Sequence, residues 1–219
     1  MIAILPLAFF LFLCSADAAA QQADAIPRFV GDLRASLVGL PTAPGWTPGV
    51  ATGDQVPSRA LGIEAGAHGH VVQSDSFTLG LGGTFLTGRR TATTVRPSSG
   101  TAGDGVSQEV STRLITVIPQ LSLNFGHRLG WSYVSGGLGA ARVSSQAAVT
   151  SATDAGRATI NAWSRSLNAG GGARWFITDR LGVGFDLRWH QLSAVDATTE
   201  RDAAPRETLL SLSVGLSVQ

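Results

Sequence analysis

Ionisable side chains recur at every second position in several apolar stretches of this chain. Asp186, Arg188 and His190 fall at even positions of one such stretch, between apolar residues at odd positions. Successive side chains of a β-strand point to opposite faces, so the polar groups share one face and the apolar groups share the other. The other residues placed in this way are Asp32, Arg34, Glu64, His68, His70 and Arg174. Groups of these types on one face can form ion pairs, line a path for ions or bind a metal.

Two of these groups have a spacing that suits metal ligands. His68 and His70 lie two residues apart on one face, and a third ligand from a neighbouring strand would complete a site. Histidines on a polar strand face also serve as members of a hydrogen-bonded network. We expect the network role, with no metal and no cofactor.

Hydrolytic chemistry has little support in the sequence. A hydrolase that acts on membrane lipid would need Ser and His side by side on the apolar face, but His190 and Ser193 lie three residues apart and face opposite sides of a strand. No G-x-S-x-G, H-E-x-x-H or phosphate-binding glycine loop occurs at a useful spacing. We expect no enzyme. A lipid hydrolase ranks third, behind the two functions that are named below.

The alternation of apolar and small or polar residues repeats often enough to build a sheet. It predicts eight strands, at residues 29–40, 61–72, 77–85, 113–125, 131–143, 166–177, 181–191 and 209–218. In the fifth, Trp131 and Tyr133 take one parity and Leu138 takes the other, which predicts a bulge near Gly136 and Gly137. Pro119 lies in mid-strand without an N–H, which predicts a second local bulge.

The segments that join these strands alternate in length. Residues 41–60, 90–112, 144–165 and 193–208 form long connections, whereas 73–76, 126–130 and 178–180 form short ones. Outer-membrane barrels have long extracellular loops and short periplasmic turns. The pattern predicts both chain ends in the periplasm.

Neighbouring strands bring the polar residues together. Counting from the turn at Asp179 places Arg174 diagonal to Asp186 and Asn168 opposite His190. The first two strands bring Asp32 and Arg34 towards Glu64 and His68. Charges inside a narrow barrel must be paired or hydrated, which predicts either a salt-bridged plug or a narrow path for ions and small solutes.

Composition narrows the class of protein. The chain has 219 residues and a formal net charge of +1; its basic residues are scattered arginines, so nothing favours nucleic acid as a partner. Only 14% of residues are charged and 27 are glycine, which is unusual for a cytosolic domain. After residue 20 no segment has the eighteen consecutive apolar residues of a membrane-spanning helix.

The first twenty residues have the composition of a secretory signal. An apolar run is followed by small residues ending at Ala20, so we expect residues 1–20 to be a signal peptide and 21–219 the barrel domain. A retained membrane anchor is the alternative. Cys14 lies within the leader after Leu13, which does not suit lipid attachment, and the mature chain would have no cysteine and no disulfide.

Strand alternation alone fits a soluble barrel with an apolar interior as well as a membrane barrel with an apolar exterior. The polar face here is mostly Gly, Ser, Thr and Asn, which suits a narrow interior better than a water-facing surface. Aromatic residues near the short connections predict an outward-facing interfacial girdle of Phe29, Phe77, Phe125, Trp131, Tyr133 and Trp175. We therefore expect an all-β, eight-stranded antiparallel transmembrane β-barrel with its apolar side to lipid.

The repeated dyad strands, the loop asymmetry and the segment from Gly171 to Leu181 resemble the small outer-membrane β-barrel family of OmpA/OmpX type. The resemblance covers the whole mature chain. It implies an integral outer-membrane protein whose partners are outer-membrane lipid, lipopolysaccharide and the barrel-assembly machinery. It also implies a structural or surface-interaction role with an unknown surface partner, or, alternatively, a narrow channel.

An outer-membrane barrel has a characteristic behaviour on fractionation. We expect the protein in the outer-membrane fraction, migrating faster on a gel when unboiled than when boiled, because a closed barrel resists detergent until it is heated. A soluble periplasmic product with no such shift would contradict the whole scheme.

Overall fold

A computed structural model describes residues 25–48, 56–74, 76–96, 106–150, 155–199 and 201–219. The signal peptide predicted at 1–20 lies outside these residues. The described chain forms eight strands: β1 (Phe29–Gly39), β2 (Arg59–Gln73), β3 (Thr78–Arg96), β4 (Val106–His127), β5 (Gly130–Thr150), β6 (Ala155–Phe176), β7 (Leu181–Leu192) and β8 (Glu207–Val218). Within the described residues, no helix is long and apolar enough to cross a membrane.

The strands close into a ring. Each pairs antiparallel with the next along the chain, and β1 pairs with β8 through positions such as Leu33 opposite Leu216. Closure leaves no strand edge free, so the backbone groups of the ladder are satisfied within the wall. The predicted eight-stranded antiparallel barrel is confirmed.

The two faces of the wall have opposite polarity. Along β8, Leu210 and Leu212 are 60% and 48% exposed, whereas Ser211 and Ser213 between them are 1% and 0% exposed. The same pattern recurs around the barrel, with apolar side chains outside and serines, threonines and charges inside. A soluble barrel has the reverse polarity, so the alternation is that of a transmembrane barrel.

Four strands extend far beyond the predicted bounds. The long connections predicted at 90–112 and 144–165 are largely β-structure, because β3 continues to Arg96, β4 starts at Val106, β5 continues to Thr150 and β6 starts at Ala155. Their outer positions are mainly Thr, Ser, Gln and Asn, which produce no apolar alternation even though the backbone ladder continues. We call residues 90–96, 106–112, 144–150 and 155–165 the loop-end sheet, and the opposite rim the turn end.

Neither predicted bulge is present. The β5–β6 register runs unbroken from Gly130 to Thr150, with Trp131 and Tyr133 facing inward and Leu138 facing outward. Pro119 pairs with Gly83 on β3 and interrupts the ladder to β5 without shifting its register. Inward and outward positions alternate along the whole of β5 without a break. The difference from expectation is that its two aromatic residues face inward and not outward.

A register shift occurs instead in β2. Gly80 pairs with His70 and Leu79 pairs with Val72, so Val71 is an extra residue. Val71 and Val72 are both exposed on the outer surface, as a bulge allows.

Two apolar clusters fill opposite ends of the interior. At the turn end, one comprises Ile26, Val30, Trp131 and Phe176. At the loop end, the larger one comprises Val38, Leu40, Trp46, Ala60, Leu86, Leu114, Ala141, Val143, Ile160, Ala162, Leu192, Ala204 and Leu209. The polar interior expected from the sequence is therefore limited to the middle of the barrel.

The close packing of β4 against β5 can be tested by adding a methyl group to a glycine between them. A Cβ at Gly137 would clash with the carbonyl oxygen of Pro119, so Gly137→Ala should lower the free energy of unfolding by about 1–3 kcal/mol. The neighbouring Gly136→Ala is the matched control, since its Cβ would lie 3.4 Å from the nearest atom, the Asn168 oxygen. Urea unfolding of the refolded barrel in micelles measures both, and equal stability of the two variants would contradict this packing.

Candidate functional site: the lumenal ion network

The nine interior residues predicted from the sequence all lie in the lumen, on the inward parity of β1, β2, β6 and β7. All are buried, with exposed fractions between 0% and 8%. They are Asp32, Arg34, Glu64, His68, His70, Arg174, Asp186, Arg188 and His190. Strand alternation suffices to place them, because inward and outward positions follow each other strictly along a strand.

Asp32 is the most heavily bonded carboxylate of the network. Arg174 donates to it twice, from Nε to Oδ1 at 2.9 Å and from Nη2 to Oδ2 at 2.6 Å. Ser217 donates to Oδ1 at 2.7 Å, and Arg34 Nη2 lies 2.8 Å from the same oxygen. These contacts join β1, β6 and β8 across the lumen, and the two-point geometry with Arg174 fixes their relative positions.

Arg34 extends the network to a second carboxylate. Its Nη1 donates to Glu64 Oε1 at 3.0 Å, on the neighbouring strand and directly opposite in register. Ser213 donates to Glu64 Oε2 at 2.9 Å and lies 3.0 Å from the Ser36 hydroxyl. Arg34 therefore lies between two carboxylates, which is how a buried guanidinium is stabilised.

A second centre lies on β7. Arg188 donates to both oxygens of Asp186, at 3.0 Å from Nε and 2.8 Å from Nη2, and also to the Ser135 hydroxyl at 3.0 Å. The Tyr133 hydroxyl donates to Asp186 Oδ2 at 2.7 Å. The phenol is therefore part of the network.

The placement of Trp131 and Tyr133 corrects the predicted girdle. Both are 2% exposed and point into the barrel. The guanidinium of Arg174 lies 4.1 Å from the centre of the Tyr133 ring and 5.7 Å from that of Trp131, a cation–π arrangement. An aromatic residue near a membrane rim can pack on an interior arginine as well as on lipid headgroups. The four other predicted girdle residues are exposed on the outer surface: Phe29, Phe77, Phe125 and Trp175.

The sequence-derived register at β6 and β7 is confirmed, but it did not identify the partner of Arg174. Asn168 lies opposite His190, and Arg174 is diagonal to Asp186, as counted from the turn. The carboxylate that Arg174 binds is nevertheless Asp32, on a strand that is not its neighbour. Only the closure of the ring brings those two strands face to face.

The three lumenal histidines do not share a site. His70 bonds through Nδ1 to the carbonyl of Pro27, and His190 Nε2 lies 3.0 Å from the hydroxyl of Ser211. His68 occupies the adjacent inward position on β2, two residues nearer the loop end than His70. Within the part of the chain that the structure describes, no three His, Cys, Asp or Glu side chains are grouped closely enough to hold a metal ion.

Some buried polar atoms of the lumen have no hydrogen-bond partner among the described residues. They include both polar atoms of the Asn168 amide, Nδ1 of His190 and the hydroxyls of Thr116 and Ser166. Buried groups of this kind are normally satisfied by internal water. The middle of the barrel is therefore polar beyond its ion pairs.

Apolar layers close this polar zone at both ends. Trp131 and Phe176 stack at 5.0 Å between ring centres at the turn end. At the loop end Trp46 is fully buried and donates from Nε1 to the carbonyl of Pro205 at 2.8 Å, while Glu207 accepts from the backbone N–H of Thr42 at 2.8 Å. The segment after β1 thus folds back over the mouth of the barrel.

Sequence reasoning missed this loop-end closure. The signal was present, since Val38, Leu86 and Leu114 are apolar residues on strand faces that also carry many polar residues. Trp46 carries no such signal, because it lies outside any alternating stretch.

Comparison with known proteins adds likenesses of overall shape. No protein-family model matches the chain, and no curated protein matches it. Neisserial surface protein A (NspA) is 13% identical, with 88% of this chain and 97% of that chain covered and a TM-score of 0.48. The outer-membrane protease OmpT from Escherichia coli is 12% identical, covering 74% of this chain and 64% of that one, with a TM-score of 0.47.

A third similar structure is Ail, the attachment invasion locus protein of Yersinia pestis. It is 12% identical, covers 87% of this chain and 95% of that chain, and has a TM-score of 0.41. The fold assignment rests on the strand pairings themselves: a closed eight-stranded meander, which is the architecture of small outer-membrane barrels.

The bidentate pair of Asp32 and Arg174 can be tested by a double-mutant cycle. Arg174→Met should lower the free energy of unfolding by about 3–5 kcal/mol, because it leaves a buried carboxylate without its main partner. Adding Asp32→Asn should recover about 0.5–3 kcal/mol of that loss. Arg180→Met, in the exposed turn before β7, is the control and should change little. Urea unfolding in micelles is measured for the wild type, Asp32→Asn, Arg174→Met, the double variant and the control, and additive effects of Asp32→Asn and Arg174→Met would refute the coupling.

Proposed function

We propose that this chain is an integral outer-membrane β-barrel with a closed interior, whose role is structural or lies in surface interaction. The single observation that carries the proposal is the filling of the lumen. A salt-bridged polar layer is enclosed between an apolar cluster at the turn end and a larger one at the loop end.

The size of the ring supports a closed interior. An eight-stranded barrel encloses a space just wide enough for side chains. Here that space holds the side chains of Arg174, Arg188, Tyr133 and Trp46, all no more than 2% exposed. A solute would have to displace ion pairs as well as both apolar layers.

The positions of the chain ends support the proposed orientation. Near the start of the described chain, the Ile26 carbonyl accepts a hydrogen bond from Gln73 at 2.6 Å. At the other end, the Gln219 side chain donates to the Asp179 carbonyl at 2.7 Å. Both ends of the described part of the chain therefore lie beside short turns, and short turns are periplasmic in outer-membrane barrels. The loop-end sheet is then extracellular.

The loop-end sheet supports a role at the cell surface. A transmembrane strand needs only about 9–11 residues, whereas β4 and β6 have 22 residues each. Strands β3 to β6 therefore continue past the lipid as a sheet. A surface partner would meet this sheet, and membrane insertion implies the barrel-assembly machinery as a further partner.

A narrow channel for ions or small solutes is the second candidate. The observation that favours it is the set of polar atoms without protein partners at Asn168, His190, Thr116 and Ser166. Water at these positions could join into a path only if both apolar layers opened. We rank the channel below the closed barrel for that reason.

We propose no enzymatic activity. Among the described residues, a serine hydroxyl and an imidazole meet at Ser211 and His190, 3.0 Å apart, and each residue is 1% exposed inside the lumen. A membrane lipid outside the wall has no access to that pair. The hydrolase alternative would require lipid hydrolysis that disappears in Ser211→Ala or His190→Ala.

Conductance across a planar bilayer tests the closed interior. We expect no discrete current steps from the refolded wild-type protein, because the apolar layers exclude hydrated ions. Trp46→Ala removes a side chain from the loop-end layer only, so it should show no current steps either, because the turn-end layer stays in place. Its matched control is Trp163→Ala, an exposed tryptophan on the outer wall. Wild-type current steps that are abolished by Arg188→Ala would overturn the proposal in favour of the channel.

A further inference from the structure

Four arginines form a row on the outer wall just beyond the apolar belt. Arg89, Arg113, Arg142 and Arg165 belong to β3, β4, β5 and β6 respectively, and all take the outward parity of their strands. We call them the arginine row. They are separate from the lumenal network, which lies on the other face of the wall.

The strand register makes the row continuous. Arg89 lies directly opposite Arg113, while Ile115 lies opposite Arg142, which places Arg142 diagonal to Arg113. Trp163 lies opposite Arg142, which places Arg165 diagonal to it. Directly opposed side chains on one sheet face are separated by about 5 Å at Cβ and diagonal ones by about 7–8 Å. Four cations therefore line one side of the barrel.

Such an arrangement is unfavourable without an anion. Like charges directly opposite each other destabilise a sheet, as at Arg89 and Arg113. Among the described residues, none of the four arginines forms an ion pair. The carboxylate that follows on the same face of β4 is Glu109, four residues or roughly 13 Å beyond Arg113.

Neighbouring polar groups hold two of the guanidiniums in place. Arg89 Nε donates to the Ser111 hydroxyl at 3.1 Å. Arg142 Nε donates to Asn161 Oδ1 at 2.8 Å, and its guanidinium lies 5.7 Å from the centre of the exposed Trp163 ring. The terminal nitrogens remain available to a ligand, in the forked geometry that suits phosphate.

The position of the arginine row along the barrel wall indicates whether the phosphate belongs to a lipid headgroup or to a free ion. Phe85, Val117 and Leu138 each lie four residues towards the turn end from Arg89, Arg113 and Arg142, and all three are exposed on the lipid-facing surface. A lipid whose acyl chains cover these apolar residues would bring its headgroup to the guanidiniums. A free phosphate ion would gain nothing from the apolar belt.

We propose that the arginine row binds the phosphate groups of a lipid headgroup, specifically of the phosphorylated glycolipid, lipopolysaccharide, in the leaflet on the loop-end side. The inference rests on the proposed outer-membrane location and orientation. It names a partner for the outer wall that is independent of whether the lumen conducts.

Thermal unfolding in nanodiscs provides the test. Lipopolysaccharide added to phosphatidylcholine nanodiscs should raise the transition temperature of the wild-type barrel by roughly 3–6 °C, because a ligand that binds only the folded state stabilises it. The triple variant Arg89→Gln/Arg113→Gln/Arg142→Gln should lose most of this rise. The matched control is Arg157→Gln, on the same outward face of β6 but eight residues further from the belt than Arg165.

Two further arms distinguish lipid-borne phosphate from free phosphate and from the glycolipid's sugars and acyl chains. Dephosphorylated lipopolysaccharide, and inorganic phosphate with phosphatidylcholine alone, should each leave the wild-type transition unchanged. A rise with inorganic phosphate alone, an equal rise with the dephosphorylated lipid, or an undiminished rise in the triple variant would overturn the proposal.

The single variant Arg113→Gln gives a signature that a purely structural role would not. In phosphatidylcholine alone it should be at least as stable as the wild type, because it removes the opposed charge at Arg89; with lipopolysaccharide it should be less stable. A variant less stable than the wild type under both conditions would refute the assignment. Failure to form a heat-modifiable barrel in any nanodisc would instead refute the proposed membrane location, so the two failures are distinguishable.

Discussion

The bidentate ion pair between Arg174 and Asp32 is the interaction on which the interior of this barrel depends. It spans the lumen between β6 and β1, and every other charge connects to it, through Arg34 to Glu64 or through Tyr133 to Asp186 and Arg188. A buried carboxylate or guanidinium is costly unless it is paired, so the network specifies one mutual arrangement of the strands. The closed interior follows from that arrangement.

Glycines on the inward face are what make room for so many large polar side chains. Gly172 faces Asp186 in register and accommodates the hydroxyl of Tyr133, while Gly82 faces His68. The large polar side chains therefore pack together in the middle of the lumen, with glycines facing them. Above and below, apolar side chains replace the charges, and the same strands pass from a salt-bridged layer to an ordinary hydrophobic core.

The outer wall is subject to a different constraint, because along its length it contacts lipid, then the border of the lipid, then the space beyond it. Apolar residues contact the lipid, arginines follow at the border, and Thr, Ser, Gln and Asn cover the loop-end sheet. The inner and outer faces are thus independent of each other on one set of strands, since side-chain alternation lets each face vary without the other. A surface role and a closed lumen are compatible for this reason.

The chain alone determines the number of strands, the parity of their side chains and the lumenal position of nine charged or imidazole residues. The reason is that apolar and polar residues must alternate with a period of two wherever one face of a strand contacts lipid. Asn168 opposite His190 also follows, since a short turn fixes the register. Tertiary structure decided the rest. The full lengths of β3–β6 do not follow from the chain, because their outward face becomes polar beyond the lipid and the apolar alternation ends there. Trp131 and Tyr133 turn inward because the closed ring offers them Phe176, Arg174 and Asp186. The Asp32–Arg174 pair joins residues 142 positions apart, and only ring closure, a property of all eight strands together, brings them within reach of each other.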